Sequence, residues 1–221
     1  LLITAQDSYE KHGRPLDAFH EQLVYIYMSP SLCEREHGLR GLQCLFQLPG
    51  LLTPDDRLRA TRCLQNVLLE APKALQPHAL KGLEIVLDMD RSLIQSETVP
   101  FLLSRLPTHV QRPPLHVPPI LGAVSCLCTT SELFDAWQAR AMSLLKALST
   151  NADDRAHVGY MCALLATLQV TIERKIEAKH EDLPRLAQGL TVRLLDWLHD
   201  PNAIATHQRL VVQQASDLLL V

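Results

Sequence analysis

The chain has 221 residues, 47% of them hydrophobic, with 21 basic and 24 acidic side chains for a net charge of −3. That content is ample for a core and excludes a disordered chain, and both signs of charge are spread along the sequence, leaving no basic footprint for nucleic acid or a membrane surface. Only 8 Gly, 2 Trp, 4 Tyr and 4 Phe stand against a heavy use of Leu and Ala, which favours helix over sheet.

In chain order, Leu1, Ala5 and Tyr9 share one face of a first helical pattern that Gly13 stops. Pro15 opens a second, with Leu16, Phe19, Leu23, Ile26 and Tyr27 on its expected buried side and Asp17, His20 and Glu21 on its solvent face, and Pro30 closes it. Ser31 with Glu34 reads as a capping box for a third helix carrying Leu39, Leu42, Leu45 and Phe46, with Gly38 and Gly41 one turn apart for close helix contact. Thr53-Pro54-Asp55-Asp56 is the strongest helix start of the first half. Ala60, Cys63, Leu64, Val67 and Leu68 follow on one arc, with Asp55, Arg59, Arg62 and Asn66 opposite and Asp55 placed to pair with Arg59. Pro77 opens a fifth helix running to about Leu93, and Ser96 is expected to cap a short sixth with Phe101, Leu102 and Leu106.

Five of the 14 prolines fall between Pro107 and Pro119, which predicts a stiff, extended, exposed connection. Helices follow from Ile120 to Cys128 and from Thr130 or Ser131 through Leu133, Trp137, Ala141, Leu144 and Leu148. The longest pattern starts at Asn151, with Asp153 and Asp154 in the first turn, and carries Val158, Met161, Leu164, Leu165, Leu168, Ile172 and Ile176. It is apolar around so much of its circumference that it needs neighbours on several sides. Asp182 and Pro184 restart the chain into Leu186, Leu190, Leu194, Trp197 and Leu198, and Asp200-Pro201 starts a last helix through Ile204, Val211, Ala215 and Leu218.

About eleven helices joined by short turns imply antiparallel neighbours. Thr53-Pro-Asp-Asp-Arg, Asn151-Ala-Asp-Asp-Arg and Asp200-Pro-Asn each open a new apolar stripe. In this the sequence resembles the armadillo and HEAT repeat families, and Pro54-Asp55-Asp56-Arg57-Leu58-Arg59-Ala60 is similar to the HEAT pattern of proline, acid, then arginine and a small residue. The resemblance implies an all-α solenoid built from repeats of about 40 to 47 residues. It divides into helical repeats at 1–106, the connection at 107–119 and further repeats at 120–221, in one continuous superhelix.

Chemistry is sparse. No glycine-rich phosphate loop, Gly-x-Ser-x-Gly elbow or His-Glu-x-x-His occurs, so no catalytic residue and no cofactor is assigned. Cys126-x-Cys128 with His109 and His116 is the one metal-like grouping, and its spacing and apolar setting favour buried thiols over zinc. All six cysteines lie in apolar helical patterns, which predicts reduced, buried thiols and an intracellular setting, cytoplasmic or nuclear. No apolar run reaches the roughly 18 residues of a membrane span. Leu1-Leu2-Ile3 and Leu218-Leu219-Leu220-Val221 are apolar edges, so the expectation is a piece of a longer protein with flanking repeats.

The function this implies is a non-enzymatic scaffold that binds another protein through solenoid surfaces. The alternative is a nucleic-acid- or chromatin-associated helical-repeat protein, which the missing basic stripe disfavours. Candidate partner-binding residues are Arg59, Arg62 and Asn66 on the fourth helix and Glu173 and Glu177 on the long one, where Glu173, Glu177 and Glu181 recur every fourth residue beside Lys175 and Lys179. On both helices a plain solvated face competes with that reading.

Overall fold

The computed structural model describes residues 16–48, 50–108, 116–149, 155–199 and 209–219, leaving aside the side chains of 16–18, 155, 209 and 210. Among them there are ten helices, not eleven, and no strand: α1 Leu16–Met28, α2 Leu32–Gln47, α3 Pro54–Glu70, α4 Gln76–Met89, α5 91–104, α6 Val117–Leu127, α7 Ser131–Ser149, α8 Arg155–Glu177, α9 Leu183–Leu198 and α10 Arg209–Leu219. The helix expected before Gly13, and the starts expected at Asn151 and Asp200, lie outside the described residues.

Local chemistry explains most boundaries. The Thr53 hydroxyl accepts from the Asp56 N–H at 3.2 Å, with Pro54 at the first helical position of α3. At α2 the Ser31 hydroxyl accepts from the Glu34 N–H, but the Glu34 carboxylate reaches the Ser29 hydroxyl instead of closing the box directly. Ser29 Oγ in turn accepts from the Ser31 N–H at 3.1 Å, so the same orphan donor is satisfied one residue further back. Thr130, not Ser131, caps α7, accepting from the Leu133 N–H at 3.3 Å.

Two boundaries differ from expectation. Helix α4 stops at Met89, and Asp90 caps α5, with Ser96 inside that helix. There Ile94–Thr98 forms a π-helical turn, closed by the Val99 N–H on the Ile94 carbonyl. Pro100 supplies the cause, since its ring excludes the carbonyl four residues back and a widened turn moves that carbonyl aside. At the other break, α6 begins at Val117 with prolines in its first turn, and Val117 is buried. The connection is therefore shorter than 107–119, and its end is packed, because Pro118 and Pro119 occupy positions whose N–H groups a helix leaves free anyway.

The chain forms two compact units, Leu1–Pro100 and Phe101–Val221. In the first, α1 packs on α2, α2 on α4, and α3 on α4, with the opening of α5 against α4. In the second, α8 touches α6, α7, α9 and α10, and α9 also packs on α7. That position accounts for the broad apolar girth of α8: Met161, Leu164, Leu165 and Leu168 are all within 1% of full burial. Within each unit, then, some helices pack on the next but one as well as on a neighbour.

Gly38 and Gly41 bring α2 close to α1. A Cβ on Gly38 would lie 2.9 Å from Ile26 Cγ1 and 3.0 Å from the Gln22 carbonyl oxygen, whereas on Gly41 it would meet the movable end of the Gln22 side chain. Gly38→Val is therefore expected to lower the unfolding free energy by about 2 kcal/mol in chemical denaturation, because backbone must shift. Gly38→Ala should cost less, since alanine regains up to about 1 kcal/mol of helix propensity. Equal stability of both variants and the parent would refute the close contact.

Candidate interaction surface

On α3, Arg59, Arg62 and Asn66 are exposed along one stripe while Ala60, Cys63, Leu64, Val67 and Leu68 are buried, as the periodicity requires. Arg59 does not pair with Asp55; the ion pairs of α3 are Arg57–Asp90 at 3.9 Å and Arg62–Glu97 at 3.2 Å. The structure adds Tyr27 to this stripe. Expected in the core, it is 52% exposed, with only its hydroxyl tucked against Cys63 and Asn66. Burial of that hydroxyl, with the Cys63 thiol beside it, pushes the phenol up to about 12. Tyrosine hides this role in sequence, because an amphipathic ring fits either face of a helix.

Val24, Tyr27 and Met28 follow at helical spacing on α1, 57%, 52% and 77% exposed, and Leu32 opens α2 at 47%. Burial on this helix falls instead to Phe19, Gln22 and Ile26. Arg35 of α2 reaches back to the Ile26 carbonyl at 2.8 Å and satisfies one of the free acceptors at the end of α1.

Glu173 and Glu177 lie in the other unit. Glu173 is half-buried and accepts from Gln169 at 3.0 Å, and Glu177 is exposed in the last turn of α8. The acidic ridge stops there: the chain turns at Lys179, whose φ of 51° is left-handed, so Glu181 leaves the helix. Ile176, expected inside, is 40% exposed, and Lys175 takes the buried place at 3%.

Lys175 is the residue that sequence reasoning missed. Its Nζ donates to the Thr129 carbonyl at 2.8 Å and the Thr130 carbonyl at 3.2 Å, and stands 5.5 Å from the centre of the Phe134 ring. It thus ties the end of α8 to the turn between α6 and α7. Burial lowers its pKa, opposed by Cys128, Asp182, Asp135 and Glu132 nearby. Beside it the Ser131 hydroxyl donates to Asp182 at 2.5 Å, and that hydrogen bond holds the Asp182 carboxyl below its usual range. Arg185 pairs with Asp135 at 3.4 Å, so the starts of α7 and α9 are joined twice.

Lys175→Ala is expected to cost about 3 kcal/mol, from stranded carbonyls and lost packing around Phe134. Lys175→Met keeps the stem and should recover about half of that in the same denaturation experiment. Identical losses for the two variants would mean that the stem contributes nothing.

The cysteines are less uniformly buried than expected. Among the described residues none is paired; Cys63 and Cys128 are buried, Cys44, Cys126 and Cys162 half-buried, and Cys33 exposed, 3.7 Å from His37 Nδ1. Cys126 faces the Arg174 guanidinium at 2.8 Å, while Cys128 is enclosed, its thiol pushed up to about 12 by burial. The two thiols therefore sit in different surroundings, and among the described residues no three His, Cys, Asp or Glu side chains converge. Among them, too, no helix is long and apolar enough to cross a membrane.

No family model matches the chain, and no curated protein matches it.

Proposed function

We propose that the chain is a segment of an armadillo- or HEAT-like α-solenoid that works without catalysis, as an intracellular scaffold binding another protein. Packing of α2 on α4, α6 on α8, α7 on α9 and α8 on α10 supports the solenoid, because stacked helical hairpins produce that alternation. The binding reading is carried by one observation, the exposed run of Val24, Tyr27, Met28 and Leu32 beside the polar stripe of Asn66 and Arg62. Large apolar side chains in succession are costly to leave in water, and an aromatic and methionine core with a polar rim is the composition of protein interfaces.

The test is affinity capture with the intact chain and with a Tyr27→Ala/Met28→Asp double variant of unchanged circular dichroism, followed by mass spectrometry of what is retained. A protein held by the parent and lost from the variant supports the reading. Retention of DNA or RNA that weakens steeply with salt, with no protein held, would favour the nucleic-acid alternative.

A further inference from the structure

Between α7 and α9 a groove of about 310 Å³ is lined by Met142, Ser143 and Lys146 from one helix and Arg193, Asp196 and Trp197 from the other. Its floor is apolar and fixed. Trp197 is 6% exposed, and its indole N–H donates to the Ser149 hydroxyl at 3.0 Å, so the ring is oriented before any ligand arrives. The rim is polar: Ser143, Lys146, Arg193 and Asp196 are all exposed.

The cations of this rim differ from others in the same unit. Arg140 spends its guanidinium on the Leu103 and Leu106 carbonyls, Lys175 on those of Thr129 and Thr130, and Arg185 on Asp135. Lys146 and Arg193 enter no ion pair among the described residues. They stand at the edge of an apolar floor with their charge uncommitted, which is where a carboxylate gains most from a pre-positioned donor.

We propose that this groove binds a short acidic segment of a partner protein, seating one apolar side chain on Trp197 and Met142 and its carboxylates on Lys146 and Arg193. Asp196 decides between ligand classes. It needs a donor, and a peptide offers main-chain N–H groups to Asp196 and Ser143 while its acidic side chains meet the cations. A phosphate backbone presents acceptors only and would face the Asp196 carboxylate unpaired. The inference takes its ligand class from the scaffold reading above but places a second site in the other unit, built from different residues.

The experiment is fluorescence anisotropy on the intact chain with a labelled synthetic peptide of Asp and Glu around a central Leu-Phe pair. The same peptide with Lys for every acid, and an oligodeoxyadenylate, serve as comparisons. Saturable binding of the acidic peptide, weakened at least tenfold by Lys146→Glu/Arg193→Glu and undisturbed by Tyr27→Ala/Met28→Asp, is the expected result. Both rim residues are exposed, so the charge-reversed variant should keep its circular dichroism. Preference for the basic peptide, affinity unchanged by charge reversal, or stronger binding of the oligonucleotide would overturn the proposal. If a captured partner depends on Tyr27 and Met28 while the acidic peptide does not bind, the scaffold reading stands and this site falls. Peptide binding here with no partner captured through Tyr27 and Met28 leaves this site standing without that reading.

Discussion

Trp137→Ala is expected to lower the unfolding free energy by about 3 to 5 kcal/mol, the largest single loss in the second unit. Trp137 is 0% exposed on the inner face of α7, in one stripe with the equally buried Ala141, Leu144 and Leu148. Removing the indole leaves a void that a helix held between α8 and α9 cannot close without moving both. The indole N–H has no hydrogen-bond partner among the described residues, so Trp137→Phe forfeits packing alone and should cost less than half as much. Denaturant titration followed by circular dichroism gives both values, and a phenylalanine variant as damaged as the alanine one would show that the N–H matters.

Stability should fall steeply between pH 9 and 11. Burial pushes the Cys63 thiol up to about 11 and the Cys128 thiol up to about 12, from an ordinary value of 9.0. Both are acids whose folded pKa is raised, so the folded chain keeps protons that the unfolded chain releases above pH 9. Their contribution is complete below that pH and is lost as pH climbs toward the folded values. Each tenfold difference in proton affinity between the folded and unfolded chain is worth about 1.4 kcal/mol, so Cys63 alone accounts for a loss of about 2 kcal/mol by pH 11, and Cys128 adds slightly more over the same interval. Lys175 runs the other way, since its pKa is lowered and its burial becomes less costly as pH rises toward its ordinary value of 10.5. Unfolding free energies measured across this interval for the parent and a Cys63→Ala/Cys128→Ala variant provide the check. A slope unchanged by the double substitution would exclude the thiols as its source.

The helices were legible because burial and period coincide in them. On α3 every residue of the apolar arc is buried, on α9 all but the half-buried Leu198 are, and Thr53 marks its helix start through a side chain that bonds only three residues away. What the sequence concealed depends on groups distant in the chain. Lys175 continues the arc of Leu164, Leu168 and Ile172, but it is the Thr129 and Thr130 carbonyls, far off in the chain, that make burial of an ammonium tolerable. The spacing of Tyr27 predicts an inside position, yet it sits outside because Gln22 and Ile26 already fill the seam against Gly38 and Gly41. Of the candidate site residues, Asn66 gains a neighbour in Tyr27, whereas Glu173 and Glu177 gain none that turns them into a ridge, because the left-handed turn at Lys179 is a backbone event with no side-chain signature.

The π-helical turn in α5 fixes how this helix tolerates changes in length. Ile94 and Val99, both 0% exposed, are five residues apart, a spacing that would put them on different sides of a regular helix. The widened turn absorbs the additional residue, so that Val99 and Leu102 continue the face begun by Ile94. In evolutionary language the segment behaves as a one-residue insertion whose effect ends where it began. Removing exposed Ser96 while relieving the proline with Pro100→Ala should restore an unbroken α-helix and leave Ile94, Val99 and Leu102 inside.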